Sequence, residues 1–278
     1  MYNIKDKEQE LFTRWAASLH LSEEEFCPNS GLLFRGDFGL NDANEDNLYT
    51  WGRAEGNEEE MWCKSPKRLM ILTKELNDPH GWDIREESGG RAQLEEKIIR
   101  SDEELRYVGN NIYRKMNCWV YGILKEENST YPPYEDVTDY NKMGRFYESA
   151  PLVRINCKFE IGGSSVENKV LVDSMNKHKD LLVEQIQLYQ PNIILCCGFQ
   201  NGENVICNFI QENIYKDLKL VENTDHWVFY SPKYNLIAID AYHPSVRSYT
   251  DQFLYEELLK NFTIAVSDCH MKFDPLIK

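Results

Sequence analysis

Along this chain, short continuous apolar runs alternate with stretches whose apolar positions recur every three or four residues, the pattern of buried strands alternating with amphipathic helices. Leu11, Trp15 and Leu19 stand at i, i+4 and i+8, with Phe12 and Ala16 widening the stripe, and predict an N-terminal packing helix. Ser22-Glu-Glu-Glu25 has capping-box spacing and opens a short turn, and the Gly-, Asn- and Asp-rich stretch from Asn29 to Asn57 reads as irregular surface chain. Lys67-Arg-Leu-Met-Ile-Leu-Thr73, after Pro66, predicts a first core strand. No core strand is evident from Asp78 to Tyr147, where a helix opens at Ser101-Asp-Glu-Glu104 and carries Leu105, Val108, Ile112 and Met116. Pro151 to Asn156 reads as a second strand, Lys179 to Gln190 as a helix stopped by Pro191, and Asn192 to Gly198 as a third strand. A helix through Val205, Ile206, Phe209 and Ile210 follows. Trp227–Tyr230 then forms a hairpin with Leu236–Asp240, the fourth core strand, and a last helix buries Phe253, Leu254, Leu258 and Phe262.

This alternation predicts an α/β fold, a three-layer α/β/α sandwich with a central, mostly parallel four-stranded sheet. The chain reads as one domain over residues 1–278, with a helical and irregular N-terminal extension to about residue 62 and an inserted cap at about 78–147. Ligands of such sheets bind outside the carboxyl ends of the strands. That rule selects Thr73–His80, Asn156–Lys158, the chain from Gly198 onward, and Ala241–Ser248.

Composition narrows the class. A chain with 42% hydrophobic and 28% charged residues is that of a globular enzyme, no apolar run approaches a membrane span, and the charged start lacks the apolar stretch of a secretory signal. The expectation is a cytoplasmic protein without a membrane partner. Eight cysteines without a Cys-x-x-Cys pair read as reduced, mostly buried thiols, and no metal and no cofactor are expected. The net charge of −15 runs against nucleic-acid binding, but residues 1–62 hold −9 of it, from 5 basic and 14 acidic side chains.

The four strand-end segments, in their order, resemble the uracil-DNA glycosylase superfamily over residues 66–80 and 151–262. Leu181-Leu-Val-Glu-Gln-Ile-Gln-Leu-Tyr-Gln-Pro-Asn-Ile-Ile-Leu-Cys-Cys-Gly198 is similar to that family's helix, strand and glycine. His243-Pro244-Ser245-Val246-Arg247-Ser248 is similar to its second motif. The resemblance implies that His243 donates a hydrogen bond to the base oxygen that gains negative charge as the glycosidic bond breaks. It implies that Ser245 and Ser248 hold flanking phosphates and that Val246 and Arg247 sit at the wedge position, Arg247 pairing either with a phosphate or with Asp251. Thr73-Lys74-Glu75-Leu76-Asn77 lacks the family's opening Gly and its Pro; Glu75 or Asn77 stands where the family positions the attacking water. Asn156, in Ile155-Asn156-Cys157-Lys158, is similar to the strand-end Asn that reads the flipped base, with Lys158 placed toward DNA. Trp82, His80 and Phe159 are candidates to stack on that base.

What the resemblance implies is a monofunctional DNA glycosylase, monomeric, with DNA as partner. The gap of about 80 residues between Glu75 and Asn156 suits a capped, larger pocket, hence either uracil or a bulky modified cytosine, such as the glucosylated hydroxymethylcytosine of phage DNA, in a defence role. Two alternatives stay open: a catalytically silent relative that binds nucleic acid or protein, and a hydrolase of free nucleosides or nucleotides.

Overall fold

In the computed structural model the described residues are 2–22, 25–41, 48–53, 57–74, 83–85, 99–100, 111–160, 166–225 and 227–277, with the backbone alone at 36–41, 48–53, 99–100, 111 and 140–141. In chain order the elements are α1 (Ile4–Ser18), β1 (Ser30–Leu32), β2 (Gly36–Asn41), β3 (Leu48–Arg53), α2 (Glu58–Lys64), β4 (Leu69–Thr73), β5 (Ile99–Arg100) and α3 (Asn111–Lys125). A 3-10 turn (Tyr134–Val137) leads to α4 (Tyr140–Ser149), β6 (Leu152–Asn156), α5 (Asn168–Lys177), α6 (Lys179–Leu188), β7 (Ile193–Phe199) and α7 (Val205–Asn213). The chain closes with β8 (Lys219–Leu220), β9 (Val228–Ser231), β10 (Leu236–Tyr242) and α8 (Asp251–Asp268).

The four apolar runs become the parallel heart of the main sheet. Its order is β1-β6-β4-β7-β10-β9-β8; β6, β4, β7 and β10 run parallel, and β1, β9 and β8 are antiparallel to their neighbours. Every residue of β4 and β6 is buried, which is why β4 reads as an apolar run rather than an alternating one, and β6 as such a run interrupted by Arg154. On one face Trp15, Trp62, Leu171, Ile186 and Ile206 close a core under α1, α2, α5, α6 and α7. On the other, Trp119, Tyr147, Leu258 and Phe262 do so under α3, α4 and α8. From β4 the chain crosses to β6 on one side and from β6 to β7 on the other, so the direction of winding reverses at β4 and opens a crevice between its carboxyl end and that of β7.

Several expectations are corrected. The sheet has seven strands and is mixed, because three short strands extend the parallel four; β1 and β8, of three and two residues, are too short to show a period in sequence. The described residues of the stretch 29–57 include three strands: β1 in the main sheet, and β2 and β3 in a three-stranded antiparallel sheet with β5. The segment expected as a cap contains a core layer, with Trp119, Val120, Ile123, Met143 and Tyr147 buried. Its helix runs to Lys125, past Met116, while the capping site at 101–104 lies outside the described residues. Phe253 is 43% exposed, since Leu254 and Leu258 form the buried stripe of α8. Where α3 lies along α8 there is no room for a side chain at Gly122: a Cβ there would come within 2.9 Å of Leu259 Cγ and Tyr255 Cε2. Among the described residues no helix is long and apolar enough to cross a membrane.

Candidate active site at the strand ends

β10 leaves its register with β7 between Ala241 and Tyr242, a bulge that re-aims the chain just before His243. A tight turn follows, closed by Val246 N–H donating to the His243 carbonyl at 2.9 Å. The imidazole is fixed within it: Nδ1 accepts the Ser245 backbone N–H at 3.2 Å and lies 2.7 Å from Ser245 Oγ. A ring nitrogen that accepts from an amide carries no proton, so the neutral ring bears its hydrogen on Nε2, as a donor. Burial, and then the charges of Lys74, Arg154 and Lys115, push its pKa down to about 4, so the ring is neutral at pH 7.

Lys115, from α3, clamps this turn. Its Nζ donates to the carbonyls of Pro244 at 3.2 Å and Val246 at 2.7 Å, and its side chain is 2% exposed. Asp251, at the start of α8, lies 3.5 Å from Lys115 Nζ and pairs with Arg114 Nε at 2.6 Å. Burial depresses the Lys115 pKa and Asp251 opposes that effect. Beside the turn is an open depression of about 380 Å³ lined by Arg114, Lys115, Val246, Arg247, Tyr249 and Asp251.

The other expected residues divide three ways. Ser245, Arg247 and Ser248 are exposed and Val246 is half-buried, all on the rim around His243. Glu75, Asn77, His80 and Trp82 lie outside the described residues. The third group is engaged with the protein itself. Asn156 is 1% exposed; its Oδ1 accepts from Thr73 Oγ1 at 2.5 Å and its Nδ2 donates to the Asn29 carbonyl at 2.9 Å, tying the ends of β4 and β6 to the chain before β1. Lys158 is buried and donates to the Glu160 carbonyl at 2.9 Å. Phe159 stacks between Trp15, with ring centroids 4.2 Å apart, and Phe26, 5.4 Å apart, and so belongs to the core.

The structure also places residues at the site that the sequence reading missed. Lys74, at the end of β4, donates to Gln200 beyond β7 and bridges the crevice. Arg154, in β6, lies against Tyr113 of α3. Tyr249, 42% exposed, and Phe253 stack with centroids 5.2 Å apart beside Arg247, at a spacing of i, i+4 that also fits a core stripe. Arg154 and Lys115 sit inside apolar patterns, where a cation reads as an interruption.

Gly198 has a packing role. A Cβ on it would lie 2.4 Å from Asn204 Oδ1, which caps α7 by accepting from the amides of Ile206 and Cys207, each at 3.2 Å. Asn204 Nδ2 in turn donates to Asp240 Oδ1 at 2.7 Å and to the Cys196 carbonyl at 2.8 Å. Burial raises the Asp240 pKa to about 6 and the Asn204 hydrogen bond opposes this. Gly198→Ala is expected to displace Asn204 and cost about 1–2 kcal/mol, the worth of a helix cap. Chemical denaturation checks it: combining Gly198→Ala with Asn204→Gly, which removes the clashing amide, should cost less than the two single changes added together, and strict additivity would refute the account.

No family model, curated protein or solved structure matches this chain.

Proposed function

We propose that the protein is a DNA glycosylase that hydrolyses the N-glycosidic bond of a flipped base, on a fold akin to that of the uracil-DNA glycosylase superfamily, with its active site at the carboxyl ends of β4, β6, β7 and β10. The observation that carries the reading is His243, held as a neutral Nε2–H donor at the end of the last parallel strand. Breaking the glycosidic bond drives the electron pair onto the base, and a fixed donor in a site shielded from water stabilises that charge. Glu75 or Asn77 positions the attacking water, and no lysine nucleophile is required. Arg247, Ser245 and Ser248 take flanking phosphates, Val246 is the wedge, and the exposed Tyr249–Phe253 stack offers a surface for an unpaired base. Asn156 enters as the tie that fixes the pocket wall. The protein acts as a cytoplasmic monomer on uracil or on a bulky modified cytosine, the latter as a defence against phage.

The test is incubation with oligonucleotides containing uracil, hydroxymethylcytosine or glucosylated hydroxymethylcytosine, followed by alkali. Strand cleavage at one of these bases is expected. Intact strands from all of them would sink the reading, and release of uracil alone would remove the defence role. The net charge of −15 favours a second reading, hydrolysis of the same bond in a free nucleotide, which would show as product from nucleotides and none from DNA.

A further inference from the structure

Among the described residues Arg154 is a buried cation without a carboxylate partner. It is 7% exposed, in the middle of β6 opposite Ile71 of β4, and on the face covered by α3. A guanidinium has five N–H donors. Among the described residues Arg154 makes one hydrogen bond, from Nη1 to Tyr113 Oη at a long 3.4 Å, and its plane lies 5.8 Å from the Tyr113 ring centroid. Its Nε is buried with no acceptor among the described residues. Desolvating an arginine is strongly unfavourable unless an anion accompanies it. Other buried cations are better satisfied: Lys67 faces Glu126, Arg85 faces Glu8 and Asp83, and Arg68 donates to the carbonyls of Gln190 at 2.8 Å and Asp274 at 2.6 Å.

We propose that Arg154 anchors a phosphate-binding subsite at the carboxyl ends of β4 and β6, with Lys74 and Lys115 beside it and His243 next to the bound charge. Lys74 continues β4, the strand paired with β6; Tyr113, which touches Arg154, stands two residues before Lys115 on α3; and Lys115 reaches the Pro244 and Val246 carbonyls of the His243 turn. The lowered affinity of His243 for a proton agrees with this placement. A planar fork backed by two ammonium groups suits a tetrahedral, multiply charged oxyanion better than a carboxylate, which the fork alone would hold. The phosphate belongs either to a free nucleotide or to the DNA strand at the flipped nucleotide; both present the same group. The inference concerns binding at this site and does not depend on which bond is cut there.

Isothermal titration calorimetry at pH 7 with inorganic phosphate, deoxycytidine monophosphate and phosphate-free deoxycytidine tests it, against chloride at matched ionic strength. Phosphate and the nucleotide are expected to bind and deoxycytidine not to. Arg154→Met should weaken phosphate binding by about tenfold or more, and Arg154→Lys by less. A second measurement covers the case in which the Met variant does not fold. In the wild-type protein, the NMR titration midpoint of His243, assigned with His243→Asn, should rise by about 1 when phosphate binds, because an anion offsets the neighbouring cations. A single-stranded oligonucleotide added to the same sample separates the two sources: displacement of bound phosphate assigns the subsite to a DNA phosphate, and its retention assigns it to a free nucleotide. The proposal is overturned if phosphate gives no heat and leaves His243 unmoved, if deoxycytidine binds as well as its monophosphate, or if a folded Arg154→Met variant binds phosphate like the wild type. None of these readouts involves base release, so the subsite and the glycosylase reading stand or fall separately.

Discussion

His243→Ala is expected to lower base release by about 10²- to 10³-fold while leaving the melting temperature within a few degrees of wild type, the cost of removing one preorganised donor from a developing anion. The ring is half-buried in a turn whose backbone is held independently by Lys115, through the Pro244 and Val246 carbonyls, so the turn survives loss of the imidazole. Single-turnover cleavage of the preferred oligonucleotide gives the rate. A variant retaining more than a tenth of the activity would mean that another group carries the charge. Because the His243 pKa lies near 4, base release should show no inflection from this ring near its ordinary value of 6.5.

The same pKa has a signature in stability. Between about 4 and 6.5 the unfolded chain binds a proton at His243 that the folded protein does not, so this group's contribution is fully present above 6.5 and is lost as pH falls toward 4. Asp240 acts in the opposite sense. Its folded pKa of about 6 exceeds the ordinary 3.8, so its contribution is present at low pH and is lost as pH rises through 6. The two slopes oppose each other between about 4 and 6. Relative to wild type, Asp240→Asn should therefore steepen the rise of melting temperature with pH across that window, and His243→Asn should flatten or reverse it.

The parallel core was legible in the sequence because it follows from largely apolar runs, which arise when helices cover both faces of a strand. β4 and β7 read this way throughout, β6 and β10 except at Arg154 and Asp240, and a polar turn follows each in sequence. The antiparallel edges were illegible because β1 and β8 are too short to carry a period. The role of α3 was hidden for another reason. A helix whose apolar face packs on the sheet looks the same in sequence whether it belongs to a core layer or to a lid; only the burial of Trp119 and Ile123 against the strands decides. At the site, Asn156 has the residue type expected for reading a base, yet its amide groups bond to Thr73 and Asn29, partners remote in sequence. Arg154 and Lys115 escaped notice because their surroundings, not their neighbours along the chain, make them unusual.

Lys67→Met is expected to destabilise the protein by about 3–5 kcal/mol, the range for removing one partner of a buried ion pair. Lys67 precedes β4 and its Nζ reaches the C-terminal end of α3. There it meets the Ile123 carbonyl at 2.9 Å, the Glu126 carboxylate at 2.9 Å and the Glu126 carbonyl, in a pocket walled by the rings of Phe262 and Phe273. Burial alone would drive the lysine to shed its proton, and Glu126 opposes this. The cation also faces the negative end of the helix dipole, so the methionine variant strands a carboxylate and two carbonyls together. Urea denaturation measures the loss; Glu126→Leu added to Lys67→Met should recover part of it by removing the stranded charge, and a double variant no better than the single would refute the pairing account. Two turns earlier on the same helix, Lys115 holds the His243 turn through its own bonds to the Pro244 and Val246 carbonyls, which Lys67 does not touch. The consequence separates scaffold from chemistry: Lys67→Met should lower the melting temperature with activity nearly intact while the protein stays folded, whereas His243→Ala should do the reverse.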